Sequence, residues 1–243
     1  MKEDTVFTTL SPRQARPYLE TVEAAVRKER IEVHGRSVSP FANASMYSLG
    51  KAWSAGHSAM AFNELNDVIG HAMLDCIGGP DPRKLWFELR AAWVREDYRG
   101  SPQKTPDEHS HVGYRLYKAL LDAHQEKSIF ETSVTKAAWV VGTRLGMVPI
   151  RLPTLPNDVW RKTCSCPKDR TGVDPSNNVP HCIIRDEECF LRVPKQTWER
   201  MGKPTPVDFD QDPKVTPHIL AVPRDAPVIP TDDIRVILSR RTP

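Results

Sequence analysis

The sequence lacks the features that would place it in a membrane or in a secreted protein. No stretch approaches the roughly 18 uninterrupted apolar residues that a membrane-spanning helix needs. The first residues, Met1–Thr5, carry no apolar segment of the signal-peptide type, so we expect a cytoplasmic protein without a membrane partner. An excess of charge of one sign is also missing, because 34 basic and 31 acidic residues give a net charge of +3. This near-balance neither requires nor excludes a nucleic-acid partner.

The composition indicates a globular protein built from two unequal regions. Its 243 residues are 39% hydrophobic and 27% charged, which is typical of a folded chain with a sizeable core. No repeat of fixed period is present, which argues against a solenoid or a propeller. Fifteen of the 22 prolines lie from Pro149 onward, and four of the five cysteines lie between Cys164 and Cys189. We therefore expect one domain over 1–155 and a proline-rich, loop-rich extension over 156–243 that packs on it and can complete its sheet.

Hydrophobic patterning predicts that the first region is an α/β or α+β domain, in which helices pack on a mixed sheet. Ser11-Pro12 has the form of a helix start, with serine as N-cap, and Asn66-Asp67 joins two apolar runs as a hairpin turn does. The predicted strands are 5–10, 58–65, 68–77, 85–94 and 129–134, and the predicted helices are 12–29, 41–53, 112–126 and 135–145. Proline blocks long helices in the extension, where we expect only loops and short strands. Those strands are 147–152, 188–193, 219–222 and 234–238.

The stretch from Leu85 to Gly146 carries the clearest indication of a ligand site. A strand leads into a polar loop that contains Arg99-Gly100, and a helix follows from Val112-Gly113. The N–H groups at a helix start have no helical partner and the helix dipole adds positive potential there, so phosphate groups bind at such positions. Glycine lets the backbone approach the ligand closely. Many strand–helix units share this pattern, so by itself it predicts a phosphate-binding position without identifying the ligand.

The order of elements resembles that of the GNAT superfamily of acyl-CoA-dependent N-acyltransferases. Trp93–Gly100 is similar to that family's strand end followed by Arg-Gly. His111–Leu116 is similar to its Gly-x-Gly-x-x-Leu segment at a helix start, and Arg144–Met147 is similar to the end of its last helix. The opening strand, the Ser-Pro helix and the hairpin follow in the same order. The resemblance covers about residues 5–155 and implies a GNAT-like acyl-CoA-binding domain there.

The resemblance implies an N-acetyltransferase that moves an acetyl group directly from acetyl-CoA to an amine. Val94 would bond the pantetheine arm through its main chain, and the residues after it would surround the pyrophosphate with backbone amides. The residues implied to bind acetyl-CoA are Trp93, Val94, Arg99, Gly100, Val112, Gly113 and Tyr114. The acceptor is expected to be a small molecule, a protein amine or an amine on a modified nucleobase. Acceptor-side candidates are Tyr47, His57, Glu88, Glu131 and Ser133.

Glu88 lies where several members of the family place a general base. It would take a proton, directly or through water, from the attacking amine, because an ammonium group is not a nucleophile. Partly apolar surroundings raise the pKa of a carboxyl group, which suits it to this role. The structural alternative is an ion pair with Arg90, two residues along the same strand face.

Three positions depart from the family's pattern. About eleven residues, 101–111, separate the Arg-Gly from the helix start, so that His111 stands where the family has a glycine. Gly142 stands at the position that often carries a tyrosine general acid, and Met147 replaces the usual phenylalanine. These departures keep a second hypothesis open, namely a catalytically inactive acyl-CoA-binding or interaction module.

The extension contains a cluster of side chains of the metal-ligand type. Cys164, Cys166, Cys182 and Cys189 lie within 26 residues, together with His181. Thiolates and imidazole are the ligands that tetrahedral Zn²⁺ prefers, and a loop-rich segment gains stability from such a link. The spacing is not that of a standard zinc finger, so structural zinc, unconnected thiols and disulfides all stay open. A zinc-linked extension is also consistent with a third hypothesis, in which the chain is a nucleic-acid-associated protein. The sequence does not indicate the oligomeric state.

Overall fold

The computed structural model of the chain has a mixed α/β fold with a curled, mixed sheet. It describes residues 10–29, 31–33, 36–38, 44–99, 111–132, 141–151, 154–163, 171–173, 180–182, 187–188, 190–207 and 234–241. The helices are α1 (Pro12–Lys28), α2 (Met46–Ser54), α3 (Val112–Ala123), α4 (Asn157–Thr163) and α5 (Lys195–Arg200). The strands are β1 (Ile31–Val33), β2 (Arg36–Val38), β3 (Ser58–Phe62), β4 (Val68–Gly78), β5 (Trp86–Val94), β6 (Ser128–Phe130), β7 (Val148–Arg151), β8 (Thr171–Val173), β9 (Pro180–Cys182), β10 (Glu187–Glu188), β11 (Phe190–Val193) and β12 (Arg235–Leu238). Within these ranges, no helix is both long and apolar enough to cross a membrane.

The largest sheet has the strand order β12-β3-β4-β5-β6. β12 and β4 are both antiparallel to β3, whereas β5 and β6 run parallel. β1 pairs with β2, β7 pairs with β11, and β8, β9 and β10 form a small antiparallel sheet. The chain divides into two compact units, the first with residues 1–75, 89–124 and 220–243 and the second with residues 76–88 and 125–219. Both units are discontinuous in sequence. The domain boundary at 155 that the composition suggests stays a prediction.

In the first unit, α1 and α2 cover one face of the sheet. A capping box starts α1, because the Ser11 hydroxyl accepts from the Gln14 amide and the Gln14 side chain accepts from the Ser11 amide. The indole of Trp53 in α2 donates to the Leu10 carbonyl at 3.2 Å. The core under these helices comprises Ala15, Leu19, Val22, Val26, Ala44, Leu49, Ala52, Trp53, Met60, Phe62, Val68, Met73, Ala91, Trp93 and Ile237.

In the second unit, the first residues of β5 pair with β6, and β7 pairs with β11. Its core comprises Ile77, Trp86, Phe130, Ile150, Leu155, Val159, Leu191 and Val193. α5 is tied to β6 by Thr197, whose hydroxyl accepts from the Ile129 amide at 3.2 Å. The helical turn at 141–144 ends at Gly146, which has a φ of +68°, a conformation that glycine adopts without strain.

The predicted elements of the first 155 residues are confirmed where the structure describes them, usually with shorter ends. The hairpin turn is where we expected it, and Asn66 takes the left-handed conformation with a φ of +64°. The predicted helix over 41–53 begins only at Met46, after its own N-cap, and the predicted strand over 188–193 is divided into two strands. The predicted strand at 219–222 and most of that at 5–10 lie outside the described residues. The β1–β2 hairpin and the short helices α4 and α5 were not predicted.

Candidate functional site

The end of β5 and the start of α3 meet over Gly70 in the first unit. A Cβ atom on Gly70, which lies in β4, would stand 2.7 Å from Cγ1 of Val112 and 3.3 Å from the Trp93 carbonyl oxygen. It would also stand 2.9 Å from Cδ1 of Leu116. Close-packed interiors do not accommodate carbon atoms at such distances, so glycine is what lets α3 pack this closely on β4. The strand end and the helix start that the sequence links to one ligand therefore lie side by side.

The first turn of α3 offers backbone N–H groups with no carboxylate beside them in the helix. Its N-cap, His111, makes no side-chain capping bond, and the described first turn contains no acidic residue. The amides of Val112, Gly113 and Tyr114 precede the first helical hydrogen bond, in which the Arg115 amide donates to the His111 carbonyl at 3.0 Å. Burial lowers the pKa of Arg115, but a guanidinium stays protonated at neutral pH. The helix dipole favours an anion at this turn, and the Arg115 guanidinium donates to the Ile234 carbonyl at 2.5 Å.

The segment after β5 is held by its own basic residues. The Arg99 amide donates to the Glu96 carbonyl at 3.1 Å and closes a short 3₁₀ turn. The Arg99 guanidinium donates to the Val94 carbonyl at 2.6 Å and to the carboxylate of Glu29. Two backbone groups predicted to contact acyl-CoA thus have partners within the protein. A bound ligand would replace these partners or use neighbouring groups.

β5 contains a left-handed residue at Ala91, where φ is +49°. Residues with a side chain rarely adopt this conformation, because Cβ crowds the following carbonyl. Ala91 is buried, and its carbonyl lies 3.3 Å from Nδ1 of His71 in the neighbouring β4. A left-handed residue within a strand redirects the chain. The course of the last residues of β5, 92–94, is therefore set at Ala91.

Glu88 lies in the second unit, at the last of three residue pairs that join β5 and β6. It stands opposite Phe130 and is 2% exposed. Its carboxylate accepts a hydrogen bond from the Thr132 hydroxyl. The residue considered as its alternative partner, Arg90, forms an ion pair with Asp75 at 3.2 Å in the first unit. A buried carboxylate at the end of a parallel strand pair can accept a proton.

A buried ion pair packs against Gly142 in the second unit. Arg192 and Glu131 exchange two backbone hydrogen bonds, at 2.8 and 3.0 Å, and their side chains are 3.6 Å apart. Arg192 also donates to the Thr143 hydroxyl at 3.0 Å. A Cβ atom on Gly142 would stand 2.8 Å from Nη1 of Arg192 and 3.0 Å from Oε2 of Glu131. Arg192 thus occupies the space in which the resemblance leads us to look for a tyrosine.

The other predicted site residues are separate from these groups or lie outside the described residues. Tyr47 is 80% exposed on α2, and the ring of His57 packs edge-on against that of His124 at a centroid distance of 5.3 Å. Cys182 lies on β9, opposite Thr171 and Glu187. Those outside the described residues are Gly100, Ser133, Cys164, Cys166 and Cys189. In the described part of the chain, no group of three His, Cys, Asp or Glu residues is placed to hold a metal ion.

Comparison of the chain with protein-family models, with curated proteins and with solved structures finds no match. Sequence reasoning did not single out His71 or Arg192, whose contacts join residues far apart along the chain. One signal was available for His71, because an ionisable residue inside an apolar strand run is unusual. Arg192 carries the same signal, because it lies between the apolar residues Leu191 and Val193.

Proposed function

We propose that this chain is an N-acyltransferase of the GNAT type, which moves an acetyl group from acetyl-CoA to an amine within a ternary complex. The observation that carries the proposal is the meeting of the Trp93 carbonyl and Val112 over Gly70. Coenzyme A has amide groups along its arm and a pyrophosphate beyond them. A strand end supplies backbone partners for such an arm, and a helix start supplies N–H groups for the pyrophosphate.

The first turn of α3 is well suited to hold a pyrophosphate in this proposal. The side chains of Val112 and Tyr114 are buried, which anchors the turn on the sheet. Gly113 between them has no side chain to keep a phosphate oxygen away from the backbone. The N–H groups of these three residues are the proposed donors, and the helix dipole supports them. The resemblance adds Val94, Arg99 and Gly100 to the same set of acetyl-CoA contacts.

Glu88 is the proposed general base. It takes a proton from the acceptor amine as the amine nitrogen attacks the thioester carbonyl carbon, so a C–N bond forms and the C–S bond breaks. The coenzyme leaves as a thiolate and takes a proton from solvent. Because thiols ionise near pH 8.5, a thiolate leaves readily without a dedicated acid. The absence of a tyrosine at Gly142 is therefore compatible with catalysis.

The test is thiol release by the purified full chain in the presence of acetyl-CoA and a panel of amines. The panel contains a polyamine, a peptide with a free N-terminus and a lysine, and an amine-bearing nucleoside. We expect release that depends on one acceptor class, and a fall of about 10²-fold or more in Glu88→Gln. Glutamine keeps an oxygen for the Thr132 hydroxyl, and Glu20→Gln on the exposed face of α1 is the matched control.

Two results would redirect the proposal. Coenzyme A binding without thiol release for any amine, together with an unaltered Glu88→Gln, would favour the inactive acyl-CoA-binding module. Affinity for DNA or RNA that falls steeply with salt would favour the nucleic-acid-associated protein.

We also propose that the extension binds a structural zinc ion. The described feature that supports this proposal is strand β9. β9 is the central strand of its sheet and carries His181 and Cys182, which pair with residues of both β8 and β10. Cys182 is the described member of the proposed four-thiolate set. The other members would be Cys164, Cys166 and Cys189. Zinc would add a link to this short sheet, whose strands have two or three residues each.

A further inference from the structure

A continuous line of buried polar contacts crosses four adjacent strands of the first unit. Ser239 directly follows β12, and its hydroxyl accepts from the Ser58 amide at 2.8 Å while its own amide donates to the Ser58 carbonyl at 2.8 Å. The Ser58 hydroxyl in β3 lies 2.8 Å from Nε2 of His71 in β4. Nδ1 of His71 lies 3.3 Å from the Ala91 carbonyl in β5. The side chains of Ser58 and His71 are 0% exposed.

The contacts fix the protonation state of His71. A carbonyl oxygen can only accept a hydrogen bond, so Nδ1 carries the proton that points to Ala91. Burial lowers the pKa of His71 to about 4, so the ring is neutral at pH 7 and Nε2 has no proton. Nε2 therefore accepts from the Ser58 hydroxyl. Each polar atom of the ring has one partner, and the ring cannot rotate without losing both.

The partner of His71 is the buried carbonyl of the left-handed residue, Ala91. The left-handed conformation of Ala91 turns its peptide group out of the regular strand geometry. A buried carbonyl without a donor is costly, and a left-handed alanine is itself strained. An apolar side chain at position 71 would pack well beside Met73 on the same face of β4, but it would give Ala91 no hydrogen bond.

We propose that His71 is a positioning residue, which holds the left-handed turn at Ala91 and thereby sets the course of residues 92–94. This rests on the proposed function, in which Val94 lies against the pantetheine arm of the coenzyme. His71 touches no substrate and acts only through the Ala91 carbonyl. Its contribution is to keep the strand end in the direction that meets the start of α3.

Two substitutions of His71 test the roles of its two ring nitrogen atoms separately. The side-chain nitrogen of asparagine can stand near the place of Nδ1, whereas that of glutamine stands nearer the place of Nε2. We expect His71→Asn to bind coenzyme A within about threefold of the wild type, and His71→Gln to bind about tenfold more weakly than His71→Asn. Adding Ala91→Gly to His71→Gln should restore most of the affinity, because glycine adopts the left-handed conformation without help. Equal affinities of the two variants, or no restoration by glycine, would overturn the proposal.

Urea unfolding without ligand tests the same contact independently of the coenzyme. We expect Ala91→Gly to raise the unfolding midpoint more in His71→Gln than in the wild type. The control is Ala59→Gly in β3, also buried, which should lower the midpoint equally in both backgrounds. Equal effects of Ala91→Gly on the midpoint in the wild type and in His71→Gln would show that His71 does not hold Ala91. If the effect of Ala91→Gly on the unfolding midpoint depends on His71, but the chain does not bind coenzyme A, the proposed function is overturned instead. The positioning role of His71 is then overturned with it.

Discussion

Acidification should destabilise this protein through His71 more than through an ordinary histidine. The folded protein buries the ring completely and lowers its pKa from 6.5 to about 4. Between these two pH values the unfolded chain binds a proton that the folded chain does not bind. Stability is therefore fully present above about pH 6.5 and falls as the pH drops towards 4.

The size of the effect follows from the two pKa values. The difference between 6.5 and about 4 corresponds to about 3 kcal/mol of unfolding free energy lost below pH 4. Of this, about 2 kcal/mol is lost between pH 7 and pH 5. The ring is shielded from solvent, so screening by water does not reduce this amount.

The assay is urea unfolding at pH 7 and pH 5 for the wild type and for His71→Asn. All other titrating groups are shared, so the difference between the two proteins isolates His71. We expect the wild type to lose about 2 kcal/mol more than His71→Asn over this interval. Equal losses in the two proteins would refute the reasoning, because they would mean that His71 titrates alike in the folded and unfolded chains.

Three further predictions concern packing and metal binding. Gly70→Ala should destabilise the protein by about 1–3 kcal/mol and weaken coenzyme A binding, because the new methyl group meets Val112. Urea unfolding measures the loss of stability, and calorimetry measures the loss of affinity. Unaltered stability would contradict the close packing of α3 on Gly70. Gly142→Ala should also lower the free energy of unfolding by about 1–3 kcal/mol, because the new methyl group meets Arg192. Gly50→Ala in α2 places its methyl group in open space and should raise the free energy of unfolding by up to about 1 kcal/mol. Native mass spectrometry should find one zinc ion per chain, and a chelator should remove it and lower the melting temperature; metal-free protein with the same melting temperature would exclude structural zinc.

The helices and strands of the first 155 residues could largely be predicted because local signals specify them. α1 has a serine cap followed by proline and an apolar stripe of helical period, and α3 has a similar stripe. Asn66 provides the left-handed residue that the hairpin needs. The short helices α4 and α5 have only seven and six residues, which is too few for a periodic pattern to stand out.

The polar contacts of the candidate site could not be predicted, because they depend on tertiary packing. Nothing in the local sequence marks Ala91 as left-handed, since glycine is the usual signal for that conformation. The Arg192–Glu131 pair joins residues 61 positions apart (192 − 131), which a single sequence does not reveal. Gly142 could be recognised as a departure from the resembled family, but its reason, the space that Arg192 fills, is a property of the folded chain.

Titration calorimetry of coenzyme A into the purified chain tests most directly whether the junction of β5 and α3 binds an acyl-CoA. We predict a one-to-one complex with a Kd between about 1 μM and 1 mM, as is usual for enzyme substrates. Gly70→Ala, which pushes α3 away from the strand end, should weaken it at least severalfold, whereas Gly50→Ala should leave it unchanged. The absence of binding at millimolar coenzyme A in the folded wild type, or identical binding by Gly70→Ala, would contradict the proposed site.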